Sequence, residues 1–228
     1  MTNRTPWILS TLASLLMTAC GGGGGDELSP GPYAANTALH RLLVTGGTWS
    51  NLRGVANGQP FTATIAYAPA PSGLFPVTGT FAMQSIQTVA ITAAGVTGSV
   101  SETIYYVPLA QTDAFIGLQV DGLCSVATSN TAVPAAASIG ASGPIFAESD
   151  LDGCAGTSIA LGTTANTWSL EADNGVALIC WNLAARDLGG TPSGAGSICV
   201  EIAVDGTLGT RARFSFTTAG VTVAARNF

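Results

Sequence analysis

Apolar and polar residues alternate along most of this chain, and short turn signals break the alternation at regular intervals. Phe61-Thr-Ala-Thr-Ile-Ala-Tyr67 sets Phe61, Ala63, Ile65 and Tyr67 against Thr62, Thr64 and Ala66, the period of two expected of a half-buried strand. Pro69 and Pro71 are read as its end. Similar runs fall at 77–83, 86–92, 96–107, 114–120, 163–172, 176–183, 197–204, 211–217 and 221–225. Between them stand Ala94-Gly95, Asp173-Asn174-Gly175, Asp205-Gly206 and Ala219-Gly220, dipeptides that favour tight turns. Many short strands joined by short turns predict an all-β, antiparallel sandwich or roll. The runs are too short, and the Ser/Gly-rich loops too long, for the alternation of a transmembrane barrel. One segment departs from the period of two: Asn36 can cap a short helix that places Leu39, Leu42 and Leu43 on one face.

Residues 1–19 carry one charged side chain, Arg4, ahead of an apolar stretch over 7–17. That stretch is too short to span a bilayer and fits a secretory leader. It runs into Met17-Thr18-Ala19-Cys20-Gly21-Gly22, and residues 21–25 are all glycine. The hexamer resembles the lipobox of bacterial lipoproteins, although leucine is more usual where Met17 stands, and the glycine run resembles the tether of the Gram-negative members. The resemblance covers residues 1–35. It implies a diacylglycerol on the Cys20 sulfur, cleavage before Cys20 and acylation of the new amine, so that the bilayer is a partner through acylated Cys20. Two or three acyl chains give a lasting anchor, since each buried methylene contributes about 0.8 kcal/mol. In that family an Asp directly after the lipidated cysteine favours the inner membrane. Gly21 stands there, which implies the outer membrane, with the domain facing the periplasm or the cell surface. A glycine-rich tether of this length has a span of roughly 20 Å.

Of the 228 residues, the 19 of the leader leave 209, enough for one large β domain or two small ones. The expected division is a signal peptide at 1–19, a lipidated tether at 20–35, an N-terminal β half at 36–122, a low-complexity connector at 123–143 and a C-terminal β half at 144–228. A weak echo supports two packed halves: Thr48-Trp49-Ser50 recurs as Thr167-Trp168-Ser169, and Ala94-Gly95-Val96-Thr97 as Ala219-Gly220-Val221-Thr222. Loss of Arg4 takes the formal charge from −6 to −7, and the chain has no lysine. So acidic a chain is a poor partner for nucleic acid, which needs clustered cations, and has no polybasic grip on anionic lipid. The mean hydropathy of +0.43 comes from Ala and Val scattered among Thr, Ser and Gly, and no second membrane-spanning helix is read from it.

With Cys20 assigned to lipid, four cysteines remain: Cys124, Cys154, Cys180 and Cys199. An even number in an exported chain predicts two disulfides. Cys180 and Cys199 stand equidistant from Gly189-Gly190, opposite each other in a simple hairpin, which leaves Cys124 with Cys154. Without a C-x-x-C and with a single histidine, a zinc site is not expected, and no cofactor is.

Catalytic signatures are sparse. There is no G-x-S-x-G, and the lack of lysine removes S-x-x-K and Schiff-base chemistry. His40 is the one histidine available to a triad. Glu102, Glu148, Glu171 and Glu201 are the carboxylates from which a glycosidase pair would be drawn. Glu148-Ser-Asp150-Leu-Asp152-Gly153 resembles the opening of an EF-hand loop, but Ile159 stands where the family closes with glutamate, so an acidic surface loop is expected instead. Trp49, Trp168, Trp181, Tyr105 and Tyr106 are candidate sugar-stacking faces, more in keeping with a β core. Arg211 and Arg213 share one strand face. The expectation is a non-catalytic structural or binding β domain, with an envelope protein or glycan as the possible partner. The alternative is a carbohydrate-binding module or glycan-acting enzyme.

Overall fold

The computed structural model describes residue 28 and residues 31–56, 58–109 and 113–228. Cys20, the hexamer around it, the expected signal peptide and most of the expected tether lie outside the described residues. The chain runs as α1 (Ala35–Val44), β1 (Gly47–Ala56), β2 (Gln59–Leu74), β3 (Phe81–Ala93), β4 (Val96–Pro108), β5 (Asp113–Val120), β6 (Leu123–Asn130), β7 (Ser142–Leu151), β8 (Ala160–Asp173), β9 (Val176–Asp187), β10 (Pro192–Ile202), β11 (Leu208–Thr218) and β12 (Val221–Arg226).

Every strand pairs antiparallel with its neighbours in sequence, and β1 pairs with β12 through Arg53 opposite Arg226 and Gly54 opposite Ala225. The twelve strands therefore close into one barrel. The all-β, antiparallel class with one short helix is as the sequence implies, but the sandwich or roll of two packed halves is not. The missing piece is β6. Its sequence, LCSVATSN, has the small polar look of a connector, yet it fills the place between β5 and β7 and leaves no break in the sheet. Tight turns hold the ladder in register: Ala94-Gly95, Asp121-Gly122, Asn174-Gly175 and Ala219-Gly220 each have both residues at positive φ, the geometry that matches strand twist.

Pro69 and Pro71 do not end β2. The pairing of β1 with β2 stops at Gly47 opposite Tyr67, so both prolines lie where β2 has β3 alone as a neighbour. Pro71 falls inside the register irregularity between Ala70 and Gly73. These are the positions where a missing N–H costs no ladder bond. The run expected at 77–83 splits instead. Gly79 N–H donates to the Phe75 carbonyl and Phe75 N–H to that of Thr80, which makes 75–80 a turn.

An eight-strand barrel is just wide enough for its own side chains to fill, so twelve strands enclose more room than strand residues alone can occupy. At the end where the odd-numbered strands begin, α1 fills it. Ala35, Ala38, Leu39, Leu42 and Leu43 are buried there among Trp49, Leu52, Phe61, Phe115, Phe146, Trp168 and Phe214. The helix begins after Ala34 without a side-chain cap. Asn36, the expected cap, lies inside the first turn and donates to the Val133 carbonyl in the β6–β7 connection. Arg41 at its other end reaches the Asp205 carbonyl and Thr207 between β10 and β11.

Outward positions carry mostly Thr, Ser, Gln and Ala, with cross-strand hydroxyl pairs at Thr88–Ser101, Thr92–Thr97 and Thr217–Thr222. A polar wall around an apolar interior is the reverse of a lipid-facing barrel. Two satellite clusters sit on this wall. Cys180 and Cys199, directly opposite in the β9–β10 register, are bonded and buried with Val176 and Leu178. Cys124 on β6 is bonded to Cys154 in the β7–β8 connection, beside Phe75 and Tyr105. Phe75 can lie against the wall because Gly117 has no Cβ; one built there would meet the ring at 2.5 Å.

Candidate functional site

The other half of the barrel is open. Inward positions there carry Val89 and Ile91 on β3, Val100 on β4, Val120 on β5, Leu183 on β9 and Phe216 on β11, around a cavity of about 610 Å³. Beneath it lies a smaller chamber of about 210 Å³, lined by Tyr67, Gln87, Glu102, Ser125, Glu148, Asp150, Thr164, Asn166 and Trp181 among others. Gln87, Glu102, Leu183 and Phe216 border both, so the two stack along the barrel. Each of the six connections at the open end also presents an exposed aliphatic side chain: Val55, Val96, Leu123, Ile159, Leu188 and Val221.

The lower chamber owes its acids to the pleat. In β7, Glu148 and Asp150 are two residues apart, so both point inward while Ser149 and Leu151 point away. Of the stretch that resembles a calcium loop, Glu148 to Leu151 is therefore strand, and only Asp152 and Gly153 lie in the β7–β8 connection where an acidic surface loop was expected; Glu148 is only 3% exposed. Register brings the partners. Thr164 and Gly162 of β8 lie opposite Glu148 and Asp150, and Ser125 of β6 opposite Asp150. Asp150 accepts from Ser125 Oγ at 2.8 Å and from Thr164 Oγ1 at 2.9 Å. Asn166 is a relay. Its Oδ1 accepts from the Trp181 indole N–H at 2.9 Å, which fixes the amide so that Nδ2 donates to Glu148 Oε1 at 3.0 Å. Glu148 Oε2 has no hydrogen-bond partner among the described residues. On the facing wall Glu102 lies opposite Gln87, whose Oε1 accepts from the Tyr67 hydroxyl.

These environments shift the acids. Burial pushes the Glu148 carboxyl up to about 8; the Asn166 hydrogen bond opposes the shift, and the charges of Glu102 and Asp150 add to it. Burial also raises Glu102 to about 7. Tyr67 is raised by burial and then by the Glu102 charge. Near neutrality Glu148 is thus mostly protonated and Glu102 divided between its two forms, a state in which either acid can hold or release a proton. Among the described residues no three His, Cys, Asp or Glu side chains converge where a metal could sit.

The remaining candidates lie elsewhere. His40 Nδ1 meets Asp113 Oδ2 at 3.0 Å beside the helix, at the filled end. Glu171 pairs with Arg213 on the outer wall, where Asp173 also bonds Arg213 at 2.9 Å. Glu201 accepts the backbone N–H groups of Thr210 and Arg211. Of the four glutamates, the fold brings Glu102 and Glu148 to one chamber. The five aromatics considered for sugar stacking are all buried, Tyr106 completely, and Trp181 alone borders the open half. The sequence reading placed Asp150 in a surface loop and missed Asn166 and the aliphatic walls. The spacing of Glu148 and Asp150 was a signal, since it suits a strand as well as it suits a cation loop. Compared with protein-family models, with curated proteins and with solved structures, the chain finds no match.

Proposed function

We propose that this protein is a lipoprotein of the bacterial envelope, held in the outer membrane through acylated Cys20, whose barrel is a non-catalytic module that binds a small molecule in its open half. The observation that carries the reading is the unequal filling of the barrel. One end is packed by α1 and aromatic side chains, while the other keeps stacked chambers of about 610 and 210 Å³, the larger of them within the range of small-molecule sites. The polar outer wall suits a domain standing in water on its tether, and the two bonded cysteine pairs suit an oxidising compartment. A glycan-acting enzyme is the second reading, favoured by two acids with raised pKa in one chamber. The walls above them favour the first, because aliphatic side chains offer a sugar few hydrogen bonds.

The test uses residues 21–228, which hold every described element, exported without the lipid. The neutral fluorophore N-phenyl-1-naphthylamine is titrated in. Saturable binding at one site is expected, abolished by Leu183→Trp, which fills the junction of the chambers. Binding that is non-saturable, or unchanged in that variant, contradicts the reading.

A further inference from the structure

Resting on that reading, we infer that the ligand is an amphiphilic cation, an apolar body carrying an ammonium or similar head group, with the head in the lower chamber against Glu148, Glu102 and Asp150. The charge around the chamber has one sign. Facing Glu148 are Tyr67 from β2, Glu102 from β4, Asp150 from β7, and the neutral Asn166 and Trp181 from β8 and β9. Among the described residues no Arg and no His lines either chamber.

Proteins seldom bury a carboxyl oxygen without a donor, because the lost hydration is not replaced. Glu148 Oε2 is in that position, while Oε1 is held by Asn166. An ammonium N–H supplies the missing donor. It also offsets the negative charge that Glu102 and Asp150 place around Glu148, which a neutral or anionic head group does not. The indole of Trp181 and the ring of Phe216 border the same space, and aromatic rings are favourable neighbours for a cation. Above the head, Val89, Ile91, Val100, Val120, Leu183 and Phe216 accept a chain or ring system with little polarity, and the aliphatic fringe of the mouth lets such a body enter without desolvating charge. Proton balance follows from the same chemistry. A cation stabilises the ionised carboxyls, so its binding near neutral pH releases protons to solvent.

The experiment displaces N-phenyl-1-naphthylamine with dodecylamine, dodecanol and dodecanoate at pH 7.5, below their micelle concentrations, and follows proton release by calorimetry in buffers of different ionisation enthalpy. Dodecylamine is expected to displace the probe at a concentration at least about tenfold below that of dodecanol, with dodecanoate weakest. Protons are released with the amine only. In Glu148→Gln and Glu102→Gln the amine loses most of its advantage while dodecanol is unaffected, which shows that the variants fold. Equal or better displacement by dodecanol or dodecanoate, or an amine preference that survives both substitutions, overturns the inference and leaves the binding module standing. Failure of all three, with no probe binding, overturns the binding module itself.

Discussion

The two halves of the barrel interior are built from the same alternating strands, yet they end in opposite states. At the filled end, β1, β8 and β11 contribute Trp49, Trp168 and Phe214, all at 3% exposure or less, and α1 supplies the apolar volume that the strands cannot. In the open half the same barrel meets no helix among the described residues. Its inward positions hold small hydroxyls, acids and half-buried aliphatics. The difference lies in what the residues are asked to do. Bulky side chains at the filled end stabilise by removing apolar surface from water, whereas Glu148 and Glu102 are kept in a place where their charged forms are disfavoured. Natural proteins accept such local cost where function requires it.

The largest test of this contrast is truncation. Trp168→Ala at the filled end is expected to cost about 3 to 5 kcal/mol, read by urea denaturation. Leu183→Ala, in the wall of the cavity, is expected to cost under about 1.5 kcal/mol, because that side chain already borders open space. Similar losses at the two sites would mean that the open half is packed in solution.

The disulfides give the next step. Cys180–Cys199 joins two strands already in register at the filled end, and Cys124–Cys154 ties the β7–β8 connection to the wall at the open end. Each double Cys→Ala variant is expected to lose about 3 kcal/mol by loop entropy. Loss of the Cys124–Cys154 pair should also weaken probe binding, and loss of the other should not.

A smaller effect, with a sign of its own, comes from the acids. The folded values of Glu148 and Glu102, about 8 and about 7, lie above their ordinary value of 4.5. Between about pH 4.5 and 8 the folded chain therefore holds protons that the unfolded chain has lost, and this contribution to stability falls as pH rises through that window. Glu148→Gln keeps a side chain able to meet Asn166 and removes the titration. It should be close to neutral at pH 5 and stabilise by about 1 to 3 kcal/mol at pH 8.5. Destabilisation at both pH values would place Glu148 in a network that needs its charge. The smallest change is at the mouth: Val96→Ser should leave stability within about 0.5 kcal/mol while slowing uptake of the probe.

Much of the local structure was legible in the sequence. The helix face of Leu39, Leu42 and Leu43, the turn at Asn174-Gly175 and the pairing of Cys180 with Cys199 all follow from short-range spacing. Closure was not legible, because the pairing of Arg53 with Arg226 joins residues at opposite ends of the chain and leaves no local mark. β6 was hidden by its composition: Ser125 and Ala127 are small because they face an open, acid-lined interior, and small residues look like a linker. The site was legible in pieces. Glu102 and Glu148 stood among the candidates, but what unites them is register across several strands, and Asn166 carries no signal until Trp181 and Glu148 flank it. Cys20 and its surroundings rest on the resemblance of residues 1–35 to lipoproteins, which fractionation of a Cys20→Ala chain would test: the wild type should partition with membranes and the variant should not.

The most direct test of the open, acid-floored half is the titration of Glu148 itself, followed through its side-chain carboxyl carbon by NMR in the empty protein and with dodecylamine added. The account predicts a midpoint of about 8 in the empty protein and a clear fall when the amine binds. A midpoint in the ordinary carboxylate range without ligand, or one that the amine leaves unmoved, would contradict it.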